Sequence, residues 1–312
     1  MKLEKKVTEE QLQEWLKQTE PLTSLGRVPD YIPALAKQDP ENIAMGVFHL
    51  DGDCVGAGNL ETTFTLQSIS KVLALALALM DQGEDYVFSH VGMEPTGDPF
   101  NSIAKLEEED PSKPLNPMIN AGALAITNMI HGITPDEKVG RLLSLIHEMT
   151  NDGSIRYDEE VASSEFESSY LNRSLSFFMK QHRVIEGSVE ELLDAYTKQC
   201  AIEVNIKQLA RIGAVFANLG KDLETDRQII PKHLARICKT FMVTCGMYDA
   251  SGSFAIRVGI PAKSGVSGAI VGALNGFGGI AVFGPALDEK GNSVVGMQLL
   301  ETISGRMDLS IF

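Results

Sequence analysis

The chain has 312 residues, 44% hydrophobic and 22% charged, enough to bury one large domain or two intimate subdomains and a composition that argues against disorder. With 27 Lys plus Arg against 42 Asp plus Glu, the net charge is −15, which excludes nucleic acid and anionic membrane surfaces as expected partners. Cys54, Cys200, Cys238 and Cys245 form no C-x-x-C pair and the six His are scattered, so neither a disulfide framework nor a metal site is expected and a reducing cytoplasm is the natural setting.

The N-terminus carries no apolar h-region of a signal peptide. Thr8-Glu-Glu-Gln11 reads as a capping box, followed by Leu12, Trp15 and Leu16 at helical spacing. A loop with Pro33 and Pro40 leads to a hairpin in which residues 43–50 and 54–58 flank the turn dipeptide Asp51-Gly52. The middle of the chain is helical. Residues 70–82 end at Gly83, 118–131 end before Gly132, and Thr134-Pro135-Asp-Glu137 starts another helix. Ser188 to Glu191 repeats that start, 205–219 stop at Gly220, and 231–245 form one more helix.

Strands return toward the C-terminus at residues 254–260, 269–274 and 277–283, with Asn275-Gly276 and residues 288–292 as turns; the final segment fits either strand or helix. Two segments invite a membrane reading. Residues 72–80 are too short to span, and 265–287 are Gly-rich, broken at Asn275-Gly276, and read as paired strands. The expected fold class is therefore α+β: a mostly antiparallel sheet built from both chain ends, with flanking helices and a helical subdomain inserted in the middle. The chain is expected to act as a single catalytic unit over residues 1–312. Residues 1–70 and 247–312 form its sheet-containing subdomain and 71–246 its mainly helical one.

Three signals carry chemistry. Gln67-Ser68-Ile-Ser-Lys71 contains S-x-x-K where a loop enters an apolar helix. Residues three apart share a helix face, a Ser hydroxyl needs an adjacent base, and burial lowers a Lys pKa far enough for it to be that base. The helix N-terminus adds free N–H groups suited to an oxyanion. Lys263-Ser264-Gly265 is the second signal, and with the first it matches the motif pair of penicillin-binding proteins and class A β-lactamases. Val266 follows as a candidate second oxyanion donor beside the N–H of Ser68. Tyr31, Tyr196 and Tyr248 are the third, since a Tyr beside a Lys relays protons. The plainer readings are a capping Ser with a surface Lys, an edge-strand charge at Lys263, and packing aromatics.

Over residues 31–295 the chain resembles the serine-dependent glutaminases, which share the β-lactamase/D,D-peptidase-like fold. The matching stretches run in order: Tyr31-Ile-Pro-Ala-Leu-Ala, Phe64 to Lys71, Val91 to Gly97, Asn116 to Gly122, Ser164-Glu165, Asn172-Arg173, Cys200 to Val204, Met247 to Gly252, and Pro261 to Val266. The resemblance implies hydrolysis of L-glutamine to L-glutamate and ammonia through a glutamyl-serine intermediate, with no cofactor. It implies Ser68 as nucleophile, Lys71 as base, Tyr31 and Tyr248 as proton-transfer groups, and the backbone of Ser68 and Val266 as oxyanion hole. Asn120, Glu165, Asn172 and Tyr196 would hold the substrate's α-amino and α-carboxylate groups, with Gln67, Lys263, Ser264 and Gly265 in support. A cytoplasmic homo-oligomer, dimer or tetramer, is implied as well.

The chain departs from the family pattern at Leu171, where an Arg is usual, at Ser174 and Ser176, which replace small apolar residues, and at Gly268-Ala269. Two other functions compete. A β-lactamase or D,D-peptidase would share the fold, but those act in the cell envelope and the chain has no export signal or S-D-N box. A non-catalytic glutamine binder would have no use for a Ser68-Lys71-Lys263 set.

Overall fold

The computed structural model describes residues 6–96 and 113–312. Gly97, which ends the Val91-to-Gly97 match, lies outside them. Helix α1 (Glu9–Thr19) starts as its sequence dictates. Thr8 Oγ accepts from the Gln11 N–H and the Gln11 side chain accepts from the Thr8 N–H. Strands β1 (Ala44–His49) and β2 (Cys54–Gly58) form the expected hairpin, and β3 (Phe64–Thr65) leads through a 3-10 turn (Gln67–Ile69) into α2 (Ser70–Gln82). Helices α3 (Glu84–His90), α4 (Asn120–Met129), α5 (Pro135–Thr150), α6 (Glu159–Ser168), α7 (Tyr170–Gln181) and α8 (Val189–Cys200) follow. Then come β4 (Glu203–Val204), α9 (Ile206–Ala217), α10 (Lys232–Cys245), α11 (Ser251–Arg257), β5 (Ala262–Ser264), β6 (Ala269–Leu274), β7 (Gly278–Phe283) and α12 (Val294–Met307).

Five strands make one antiparallel sheet in the order β2-β1-β7-β6-β5, so strands from both ends of the chain pair in its middle, with Ala44 opposite Phe283 and His49 opposite Gly278. Alternation along β7 assigns the faces. Ala281 and Phe283 join the core that contains α9, whereas Ile280 and Val282 join the core formed with α1 and α12. Helix α9 lies unusually close to the sheet. A Cβ at Gly279 would sit 1.9 Å from the Ala210 carbonyl oxygen, and one at Gly213 would sit 2.5 Å from that of Gly272. Only two residues without side chains permit that approach. The architecture is the expected α+β arrangement.

The chain ends differ from expectation in one place. Residues 254–260 alternate apolar residues with others and read as a strand, but residues 251–257 are α11. The Ser251 hydroxyl donates to the Tyr248 carbonyl and accepts from the Met247 N–H, which closes a turn and launches a helix. The buried pair is Phe254 and Val258, four apart, while Ile256 is 87% exposed. The helix period wins over the apparent period of two. The helix read from Met118 begins two residues later, at Asn120, and the ambiguous C-terminal segment is helical.

Residues 72–80 form the buried body of α2, apolar on all sides because it runs through the main core. Among the described residues no helix is long and apolar enough to cross a membrane. The 265–287 segment is the β6–β7 pair turned at residues 275–276.

Ser176, one of the departures from the family pattern, is fully buried on α7, and among the described residues its hydroxyl has no hydrogen-bond partner. A buried unpartnered hydroxyl costs about 1–3 kcal/mol. Ser176→Ala is therefore expected to raise the thermal midpoint measured by calorimetry; a lower midpoint would show that the hydroxyl is satisfied.

Candidate active site

The turn that carries Ser68, the candidate nucleophile, is held in an uncommon backbone conformation. Gln67 has φ of +46°, a region that disfavours non-glycine residues by about 1–3 kcal/mol. The residue is fixed from three sides. Its backbone carbonyl accepts from the Ser70 hydroxyl at 2.7 Å, and its side-chain Nε2 lies 3.3 Å from the Glu165 carboxylate and 3.4 Å from the Thr65 hydroxyl. Ser68 follows, 8% exposed, and does not act as a helix cap. The β5–β6 connection is pressed against the same turn. A Cβ at Gly265 would lie 2.7 Å from the Leu66 carbonyl oxygen, so a glycine there lets Val266 reach the cavity that Ser68 lines.

Two lysines converge on this turn. Lys71 is 1% exposed, and its ammonium donates to the Met118 carbonyl at 3.1 Å and Asn120 Oδ1 at 2.8 Å. Burial lowers its pKa to about 8. Lys263 is fully buried and donates to the Gly246 and Ser264 carbonyls at 3.1 and 2.6 Å, so its plainer reading as an edge-strand surface charge fails. Burial, and then the positive charge of Lys71, press its pKa well below the usual lysine range. Its Nζ sits 4.5 Å from the centre of the Tyr248 ring.

Tyr248 also has a left-handed backbone, φ +51°. Its hydroxyl donates to the Ser264 carbonyl at 3.3 Å, which leaves the phenol oxygen able to accept from the Ser68 hydroxyl. Burial raises its pKa and the Ser68 hydrogen bond opposes that rise.

On the other side of Ser68 is a cavity of about 230 Å³ lined by Tyr31, Asn120, Glu165, Asn172, Tyr196 and Val266 together with Gln67 and Ser68. Tyr31 stands at its rim, 56% exposed, and Tyr196 in its floor, 2% exposed. The Asn120 amide, whose oxygen receives Lys71, donates from its nitrogen to Asn172 Oδ1 at 3.0 Å. Glu165 is buried, and desolvation raises its pKa to about 7 against the opposing pull of Gln67 and Lys71. Glu165 and Asn172 sit on different helices, α6 and α7, which break at Ser169. Leu171, the departure where an Arg is usual, lines the same cavity.

Of the residues singled out in the sequence, Tyr31, Gln67, Ser68, Asn120, Glu165, Asn172, Tyr196 and Val266 line this cavity; Lys71 reaches it through Asn120, Tyr248 and Lys263 share the Ser264 carbonyl, and Gly265 packs against the Leu66 carbonyl of the turn. Four pocket residues were not singled out as site residues: Ile32, Ser168, Ser169 and, of most chemical interest, the buried Cys200. Its signal was its position four residues after Tyr196, on the same face of α8. A second cavity, of about 350 Å³, opens beyond Tyr248 and is bordered by Asn116, Thr244 and Asp249. It does not include Ser68. Among the described residues no cluster of His, Cys, Asp or Glu could hold a metal ion.

The glutaminase family pattern matches residues 26–312. The chain belongs to the glutaminase family. It is similar to glutaminase 1 of Halalkalibacterium halodurans, 62% identical over 97% of this chain and 99% of that one. Glutaminase 2 of Bacillus subtilis is 57% identical over 97% and 98%. Among solved structures, a probable glutaminase of Bacillus subtilis superposes with a TM-score of 0.92 at 39% identity, covering 97% of both chains. A covalent complex between a Bacillus subtilis glutaminase and 5-oxo-L-norleucine, formed by reaction with 6-diazo-5-oxo-L-norleucine, superposes with a TM-score of 0.88 at 38% identity, covering 97% of this chain and 99% of that one. The fold is accordingly the β-lactamase-like fold of the glutaminases.

The raised pKa of Glu165 has a sign in stability. Its folded value, about 7, exceeds the unfolded 4.5, so its contribution is fully present below pH 4.5 and is lost as pH rises through 7. Glu165→Gln is expected to be more stable than the parent at pH 8, with the gap closing toward pH 5. A constant difference in denaturant midpoint across that range would contradict the burial of an ionisable carboxyl here.

Proposed function

We infer that this chain is a glutaminase: it hydrolyses the side-chain amide of L-glutamine to L-glutamate and ammonia. The observation that carries the reading is one cavity lined by Ser68 together with Glu165, Asn120, Asn172 and Tyr196, with the buried Lys71 hydrogen-bonded to the Asn120 that lines it. A buried carboxylate among amides and a phenol suits a free amino acid, ammonium toward Glu165 and carboxylate toward the amide and hydroxyl donors. The cavity's size suits a molecule of that scale, and covalent capture of 5-oxo-L-norleucine by a relative supports a nucleophile at its base.

In this reading Ser68 Oγ attacks the amide carbon while Lys71, neutral, takes the hydroxyl proton. The oxyanion is held by the N–H groups of Ser68 and Val266. The C–N bond breaks, and the proton taken from Ser68 reaches the departing nitrogen through Tyr248 or Tyr31, so ammonia leaves and a glutamyl ester remains on Ser68. Water then adds to that ester carbon. Glutamate leaves with the hydroxyl of the water, and the other proton returns to Ser68. Lys263 steadies Tyr248 through the Ser264 carbonyl that both donate to. Gln67 holds Glu165.

Two further readings belong to the same proposal. The chain acts as one catalytic unit, with its sheet-bearing part at 1–70 and 247–312 and its helical part at 71–246, supported by the fact that all five strands of the main sheet fall in the first part. It works as a cytoplasmic dimer or tetramer, which the family resemblance supports and sedimentation of the purified protein tests.

Ammonia release from L-glutamine is expected from the purified chain and is expected to vanish in Ser68→Ala and in Lys71→Ala while both retain the folded circular-dichroism spectrum. Near-normal turnover in either variant refutes the pair. The rate should also depend on pH in a definite direction. A bound ammonium favours ionised Glu165, whose pKa is about 7, and the base needs Lys71 neutral, with a pKa of about 8. So kcat/KM rises from pH 6 to 9, and a profile falling across that range would overturn the assignment of Lys71.

A further inference from the structure

Behind the nucleophile turn runs a chain of hydrogen bonds that neither the substrate cavity nor the proton path uses. Thr127 on α4, Gln199 on α8 and Ser70 at the start of α2 are each 1% exposed or less. The Thr127 hydroxyl lies 3.1 Å from Gln199 Oε1, Gln199 Nε2 lies 3.3 Å from Ser70 Oγ, and Ser70 Oγ lies 2.7 Å from the Gln67 carbonyl oxygen.

The direction of this chain follows from donor counting. A carbonyl oxygen only accepts, so the hydrogen between Ser70 and Gln67 belongs to Ser70. The Ser70 oxygen then has only lone pairs to offer, so the group facing it is the NH₂ of Gln199. That turns Oε1 toward Thr127, which must donate. Thr127 shares its hydrogen with the Ala123 carbonyl at 2.9 Å. Every bond therefore points the same way, Thr127 to Gln199 to Ser70 to Gln67, and aligned bonds polarise one another.

The end of the chain is what gives it meaning. The Gln67 carbonyl and the Ser68 N–H belong to one peptide unit. A hydrogen bond pulling density onto that oxygen leaves the N–H more positive and fixes its direction, in a unit whose backbone is strained at Gln67. We propose that Thr127, Gln199 and Ser70 are positioning residues, a buried relay that orients and polarises the Gln67–Ser68 peptide so that its N–H serves as an oxyanion donor. The proposal rests on the reading of Ser68 given above.

The test uses the full chain, with active sites counted by covalent labelling with 6-diazo-5-oxo-L-norleucine. Ser70→Ala, Gln199→Leu and the nearly isosteric Thr127→Val are compared with Thr127→Ser, which keeps the hydroxyl. Loss of a whole oxyanion donor costs on the order of 100- to 1,000-fold in kcat, so loss of its polarising partner is expected to cost about tenfold per labelled site. The KM for glutamine and the Kd for L-glutamate should stay put, and Thr127→Ser should retain parental kcat. Ser70→Ala with Gln199→Leu should be no worse than Ser70→Ala alone, because both break one chain. The relay is overturned if only the fraction of labelled protein falls, if the loss appears in KM, or if the two substitutions multiply. A Ser68→Ala control that still labels and turns over would instead sink the underlying assignment of Ser68, a result separable from any of these.

Discussion

Two amines held out of water constrain everything around them. Lys71 and Lys263 are both essentially inaccessible, and burying an ammonium is costly unless oxygen acceptors surround it or the group gives up its proton. The acceptors come from three separated pieces of chain: Met118 and Asn120 at the start of α4, Gly246 after α10, and Ser264 on β5. Satisfying these two side chains therefore fixes how the central helix α2, the helical layer and the edge of the sheet meet. The same desolvation lowers the Lys71 pKa to about 8, so the cost of folding around the lysine and its proposed use as a base are one effect.

Local grammar made much of the fold legible. The capping box at Thr8, Pro135 after Thr134, Ser188 before α8 and the Asp51-Gly52 turn act through neighbours in sequence, and each appears where the residues placed it. The misread segment, 254–260, shows where such grammar fails. Its apolar residues fit two periods, and the deciding bonds are the short-range ones by which Ser251 closes the Tyr248 turn, which apolar spacing does not display.

The site was legible in a different way. Ser68, Lys71 and Lys263 stood out through chemistry and motif, because those residue types at those spacings can react. Glu165, Asn120 and Asn172 stood out only through resemblance, since a Glu in a charged stretch looks solvated until the fold buries it beside Gln67 and Tyr196. The left-handed backbones of Gln67 and Tyr248 had no signal at all. Neither is Gly or Asn, and their strain is held in place by contacts from distant elements. Ser70 and Gln199, buried amid apolar neighbours, looked like ordinary helix residues.

The antiparallel register of β1 with β7 also sets the order of events in biosynthesis. His49 must wait for Gly278. At cellular elongation rates of about 5–20 residues per second, the intervening chain takes roughly ten to fifty seconds to emerge. Throughout that interval the β1–β2 hairpin has an unoccupied edge, and for nearly all of it the lysine of β5, close to β7 in the chain, has not yet been made. An incomplete nascent polypeptide thus carries Ser68 without Lys263, and the proposed reactive centre is assembled only when the last fifth of the chain arrives to close the sheet. Premature termination anywhere before β7 yields a product with an exposed hairpin edge, a species for chaperones and proteases rather than a partly active enzyme.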